Sequence, residues 1–160
     1  MDINTKRSII AEMDDVINRY VYEHELFYGG CCYAAYVLAR YLTKLGISYD
    51  TTIFQYNEII NCRKFNTAIN GNGVCHVAIR VYLDDNWVTI GSLESTYRYF
   101  RLSGNPYKEK HYRGIDPATI LKGYRDGLRH ARWNWMYNTD NNSKLSRDIK
   151  RIYLKYADKI

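Results

Sequence analysis

The chain has 160 residues, is 46% hydrophobic and 25% charged, and holds only two prolines. Such totals describe a globular chain able to bury about two-thirds of its unfolded surface in one core, and they exclude collagen-like, low-complexity and disordered classes. The formal charge of +6 favours an acidic partner and says nothing about fold.

No apolar run approaches the roughly 18 residues that a membrane span needs, and Met1–Asn4 leads into a polar segment without a signal-peptide pattern. A cytoplasmic protein of one domain over residues 1–160, not bound to membrane, is therefore expected. The four cysteines (Cys31, Cys32, Cys62 and Cys75) should then be reduced thiols. None has the CxxC spacing of a metal knuckle, and a zinc site combining cysteine with His76 is the weaker reading. The seventeen tyrosines join apolar area to a hydroxyl, which suits interfaces as well as cores.

Taken in chain order, residues from about Thr5 to His24 read as a helix. Ile9, Ile10, Met13, Val16, Ile17 and Tyr20 recur at three- and four-residue steps, with Asp14-Asp15 between them. Phe27-Tyr28-Gly29-Gly30 breaks this pattern with a glycine turn. A second helix is predicted from Cys31 to Leu45, with Ala34, Ala35, Leu38, Ala39 and Leu42 on one face and Gly46 as its C-terminal cap. Ile47 to Gln55 has strand composition, and Asn70-Gly71-Asn72-Gly73 is a turn signal.

Cys75 to Leu83 alternates, with Val77, Ile79, Val81 and Leu83 on one side. Asp84-Asp85-Asn86 turns the chain, and Trp87 to Ile90 returns as the second arm of a hairpin. Tyr97 to Leu102 is a candidate strand. Asp116-Pro117 starts a helix that should run to about Met136, Asn138 to Ser143 reads as a polar linker, and Leu145 to Tyr156 forms a basic helix. This order points to an α+β fold with an antiparallel sheet and a helical extension from about residue 115.

The turn into the second helix carries the chemistry. A thiolate is the reactive form of cysteine, and the free N–H groups and dipole of a helix N-terminus favour negative charge there. An imidazole brought alongside takes the thiol proton and later hands it to a leaving amine. Backbone N–H groups of the same turn can hold a tetrahedral oxyanion. Cys31 at the head of a buried helix, with His76 opening a later strand, supplies these parts.

At these residues the sequence resembles a family. The stretch GGCCYAAYVLARYLTKLGI is similar to the nucleophile helix of transglutaminase-like proteins, in which a Gly-x-Cys turn enters a helix ending in Leu-Gly-Ile. Gly29, Cys31, Ala35, Leu42, Gly46 and Ile47 fall in the corresponding places. HVAIRVYLDDNWVTIGS is similar to the next block, where a His-led strand turns into a Trp-Val strand, with His76 and Trp87 in place.

The resemblance covers roughly 35 residues. It implies a papain-like or transglutaminase-like core whose cysteine helix packs on an antiparallel sheet, a Cys31–His76 dyad, and no metal or organic cofactor. Cys32, reached through Gly30, is the alternative nucleophile, although the Cys31-to-Gly46 spacing matches the family better.

One position departs from the pattern. In the family an aspartate that orients the histidine comes after Trp-Val-x-Leu, and this chain has Gly91 there. With Asp84 and Asp85 as turn residues, pairing sets Gly91 opposite Ala78, on the side of His76. Candidates for a third member are Ser92 and Glu94, with Asn86 behind them. Gln55 comes after the cysteine instead of preceding it, and reads as a strand glutamine without an oxyanion role. His24, His111 and His130 are scattered and read as solvated.

The last third concentrates basic residues, among them Lys122, Arg125, Lys144, Arg147, Lys150, Arg151 and Lys155, interleaved with Trp133, Trp135, Tyr153 and Tyr156. Basic side chains with aromatics compose a nucleic-acid groove, but Leu121, Tyr124 and Leu128, like Ile149, Ile152 and Tyr156, recur as core faces and leave the charges as solvated outer faces.

Three functions are expected, in descending order. The first is cysteine-dependent acyl transfer on an amide or isopeptide bond of a protein or peptide substrate, as a peptidase, amidase or transamidase. The second is an inactive member of the fold that binds a protein, for which Gly91 is the motive. The asparagine-, tyrosine- and lysine-rich usage fits a phage-encoded inhibitor or accessory protein. The third is nucleic-acid binding. Oligomeric state is not legible in the sequence.

Overall fold

A computed structural model describes residues 1–24, 30–56, 74–91, 107–130 and 139–159. The elements are α1 (Ile3–His24), α2 (Gly30–Lys44), β1 (Asp50–Tyr56), β2 (Val74–Leu83), β3 (Asn86–Ile90), β4 (Tyr107–Arg113), α3 (Pro117–His130) and α4 (Thr139–Tyr156), the last closed by a 3₁₀ turn at Ala157–Lys159. The described residues thus form an α+β fold, four helices with one four-stranded antiparallel sheet in the order β3-β2-β1-β4.

Helix α1 starts earlier than its apolar repeat. The Asp2 carboxylate accepts the Thr5 N–H at 3.0 Å and the Thr5 hydroxyl at 2.7 Å, satisfying a donor that the first turn leaves open. Its buried residues are those the periodicity selects, Ile9, Ile10, Met13, Val16, Ile17 and Tyr20.

Helix α2 is buried more fully, from Cys32 through Ala34, Ala35, Val37, Leu38, Ala39, Tyr41 and Leu42. Its end is a Schellman turn. Gly46 has φ +70°, Ile47 N–H donates to Leu42 O at 2.9 Å, and Gly46 N–H donates to Thr43 O at 3.0 Å. The chain then enters β1 at Asp50, three residues beyond the start expected from composition.

The hairpin of β2 and β3 turns on two residues. Leu83 pairs with Asn86, and Asp84 (φ 53°) and Asp85 (φ 62°) take the left-handed angles of a type I′ turn. Asp84 accepts both the Nε and an Nη of Arg7 at 2.7 Å, tying the hairpin tip to the start of α1.

The sheet has two unlike sides. Thr51 and Ile53 of β1 pair with Ile79 and Val77 of β2, and with Val81 and Ile90 these side chains are buried. All but Thr51 belong to one apolar cluster that includes the inner faces of α1 and α2. Alternation gives the other side Asp50, Thr52, Ala78, Arg80, Tyr82, Trp87 and His111.

Strand β4 has no counterpart among the elements expected from sequence. It pairs with β1 along its length, from Tyr56↔Tyr107 to Asp50↔Arg113, while the candidate strand over 97–102 lies outside the described residues. The last helix corrects the sequence reading too. Residues 139–143, read as polar linker, are the first turn and more of α4, and Asn142 is buried there.

Asp116 caps α3 by accepting the Ala118 N–H at 2.8 Å, and Pro117 fills the first position. The helix is described to His130, and its expected end near Met136 lies outside the described residues. α3 packs on α2, and α4 packs on both α1 and α2. Leu145, Ile149, Ile152 and Tyr156 join the core. Tyr20 donates to Asp148 at 2.8 Å, and Glu12 accepts from Lys155 at 2.8 Å and from the Tyr156 hydroxyl. Among the described residues no helix is long and apolar enough to cross a membrane.

Candidate active site

The two adjacent cysteines occupy different environments. Both lie in the first turn of α2, which begins at Gly30. Cys32 is 1% exposed and belongs to the core, whereas Cys31 is half-buried and packs against the edge of that cluster. Their sulfur atoms are 4.0 Å apart. An attacking sulfur must reach a carbonyl carbon, so accessibility separates the two in favour of Cys31.

The remainder of α2 makes this position rigid. Ala34, Ala35 and Leu38 are buried one turn and more along the helix, and α2 contacts β2, α3 and α4. A helix held along its length presents its first N–H groups in a fixed direction, which is what an oxyanion site requires.

His76 is the third residue of β2, and its backbone pairs with Phe54 of β1. In the next step the register passes from Phe54↔His76 to Gln55↔Val74, skipping Cys75, so a β-bulge sits directly beside the histidine. Regular alternation between Cys75 and its neighbours, expected from the sequence, is interrupted at this point. Bulges bend the strand and re-aim neighbouring side chains, and they recur next to active sites. Gln55 lies at the same irregularity, paired with Val74.

The position where the family pattern calls for an aspartate is closed to any side chain. Gly91 comes directly after β3, and continuing the Ile79↔Ile90 pairing sets it opposite Ala78. Its φ is +102°, and a Cβ added there would lie 2.8 Å from Ile17 Cγ2. The glycine lets α1 approach the end of the hairpin.

A carboxylate nevertheless stands at this place, contributed by α1. Asp14 Oδ1 accepts the Gly91 N–H at 2.7 Å, and Asp14 Oδ2 accepts the Asn18 side-chain amide at 3.1 Å. Burial pushes the Asp14 carboxyl above its ordinary range, more than the Gly91 N–H draws it down; neighbouring Asp15 adds to the rise and the Asn18 amide opposes it. Asp14 is visible in the sequence only as a polar residue between apolar ones, and nothing local links it to residue 91.

The candidates for a third member fare differently. Ser92 and Glu94 lie outside the described residues. Asn86 pairs with Leu83, seven residues along β2 from His76 and so roughly 23 Å away at strand rise, and its amide donates to Asp84 O at 3.0 Å. It serves the turn and cannot orient the histidine.

His111, read from sequence as solvated, is exposed and also anchored on the polar side of the sheet. Its Nδ1 is 2.8 Å from Thr52 Oγ1, and its Nε2 is 3.3 Å from Glu109 Oε1. In the next cross-strand row Arg80 bonds Asp50 at 3.0 Å and stacks 4.0 Å from the centre of the Trp87 ring. Burial, then the Arg80 charge, holds the His111 imidazole below its usual range, with Glu109 and Asp50 opposing. Among the described residues no group of three or more His, Cys, Asp or Glu side chains is arranged to hold a metal ion.

Compared with protein-family models, with curated proteins and with solved structures, the chain matches none.

Proposed function

We propose that this protein is a thiol-dependent acyl-transfer enzyme on a papain-like or transglutaminase-like core, acting on an amide or isopeptide bond of a protein or peptide. One observation carries the reading: Cys31 is the accessible member of a cysteine pair in the first turn of a helix whose remaining length is locked in the core. The contact of α2 with β2, the strand that carries His76, supports it.

In this reaction His76 takes the Cys31 proton, and the thiolate attacks the carbonyl carbon to form a C–S bond. The carbonyl electron pair moves onto oxygen, where N–H groups of the α2 first turn stabilise it. As the pair returns, the C–N bond breaks and His76 delivers its proton to the leaving amine. Water, or a second amine, then attacks the thioester, its proton passes through His76, and the thiol is restored. Hydrolysis and transamidation differ only in that last nucleophile.

Labelling with iodoacetamide tests the dyad. A cysteine paired with a histidine alkylates at pH values well below the ordinary thiol pKa of about 8.5. Cys31 should therefore be modified at pH 6, and His76→Ala should return its pH profile to that of a simple thiol. Cys31→Ala should remove the label, while Cys32→Ala should keep it. Labelling that is the same with and without His76 would refute the dyad.

A second reading, a catalytically inactive fold that binds a protein, is favoured by Gly91, since the position of the orienting carboxylate admits no side chain. The same experiment separates the two: the inactive scaffold predicts an ordinary thiol at Cys31, indifferent to His76.

A further inference from the structure

Helices α2 and α4 place on one surface a set of cations that are far apart in sequence. Along α4, Lys144, Arg147, Lys150 and Arg151 recur at three- and four-residue steps, all exposed, on the arc opposite Leu145, Ile149 and Ile152. On α2 the exposed Arg40 and Lys44 flank the same junction. Tyr41 of α2 and Tyr153 of α4 are in contact across it, ring centres 5.4 Å apart, and Lys44 Nζ lies 5.5 Å from the first ring and 5.6 Å from the second.

Acidic groups nearby are turned to other tasks. Asp148 accepts from Tyr20 and from Arg151, and Glu12 takes Lys155. Among the described residues Lys44, Lys144, Arg147 and Lys150 make no ion pair. Unpaired like charges on neighbouring turns repel one another, so they favour a bound polyanion over the free state.

We propose that the α2–α4 surface binds the phosphate backbone of double-stranded nucleic acid without sequence preference. A protein partner would call for a cluster of apolar anchors within the patch, and among the described residues a single large apolar side chain, Leu154, is exposed on it. An anionic membrane would call for an apolar helix face to sink into the lipid, and that face of α4 is already spent on the core. Phosphodiesters need only cations at short intervals, together with polar side chains that fix their position. This surface is independent of Cys31, so the proposal stands or falls apart from the acyl-transfer reading.

The test is fluorescence anisotropy with a labelled duplex DNA of about 25 base pairs, titrated at several salt concentrations. Binding should weaken linearly in log–log form, with a slope of about −4 to −5 for four to six phosphate contacts. The double variant Arg147→Gln/Lys150→Gln should lose about 10-fold or more in affinity at low salt and flatten the slope by about 2. Lys44→Gln on the other helix should flatten it by about 1.

The control Lys110→Gln/Arg113→Gln removes the same charge from β4 and should leave both values nearly unchanged. Circular dichroism of each variant confirms that it folds. Absence of binding at low salt, equal losses in the β4 control, or binding to phosphatidylserine vesicles without binding to DNA would each overturn the proposal.

Discussion

The two sides of the sheet obey different rules although they are made by the same four strands. On the side toward α1 and α2, Ile53, Val77, Ile79, Val81 and Ile90 form a continuous apolar layer, and Thr51 is the exception, its hydroxyl buried with no hydrogen-bond partner among the described residues. On the other side the central polar groups have specific counterparts: Arg80 with Asp50, His111 with Thr52 and Glu109. Tyr82 and Trp87, 47% and 41% exposed, meet edge to face at its rim. Apolar burial is non-directional and tolerates exchange by volume, whereas paired polar groups hold only in one geometry. The first side therefore determines that the chain folds, and the second is where particular residue types matter.

The largest expected effect lies on the apolar side. Ile79→Ala removes a fully buried side chain of the core cluster and should cost about 2–5 kcal/mol, read as a fall in the urea midpoint with unchanged slope. A loss below ~1 kcal/mol would show that this layer collapses around the gap, and would remove the distinction between the two sides.

Next comes the junction where the hairpin meets α1. Gly91→Ala forces a side chain into a left-handed backbone position and against Ile17, and should cost about 1–3 kcal/mol. Gly91→Asp, the substitution that would complete the family pattern, should destabilise at least as much and fail to raise the reactivity of Cys31. A stable Gly91→Asp protein with faster alkylation would show that the site awaits only its carboxylate.

The smallest effect is a pH dependence from the polar side. Because the folded His111 holds its proton less tightly than the unfolded one, acidification through the unfolded value of about 6.5 protonates the unfolded chain first. This group leaves stability unaffected above that range and lowers it as pH falls toward the folded value. The melting temperature measured from pH 7.5 to 5.5 should therefore decline more steeply in the wild type than in His111→Gln. Parallel curves would mean that the imidazole is as free as the sequence reading supposes.

Much of the framework can be read from residue patterns because it rests on local rules. The apolar steps of α1 and α2, the Gly46 cap, the hairpin turn and the Asp116-Pro117 start each involve residues within a few positions of one another. β4 escapes because an edge strand with Lys110, His111 and Arg113 exposed carries no alternation to detect. The start of α4 escapes because Asn and Asp favour turns in isolation, and only packing of Asn142 and Leu145 against the rest of the molecule overrides that preference. At the candidate site the residue types are legible and their relations are not. That Cys32 is core and Cys31 accessible, and that Asp14 reaches Gly91, depend on contacts between segments remote in sequence.

Those remote contacts also set an order of events. α1 is held at its start by Asp84 and further along by Gly91, 77 residues away in both cases, and its other flank meets Lys155 and Tyr156, separated by 143 and 144 residues. On a ribosome α1 must therefore wait, its contacts incomplete, until α4 has emerged. Folding of this chain should be slow for its size and gated by the emergence of α4. A translation arrest placed before α4 would leave the thiol-bearing helix without one of the walls that fix it.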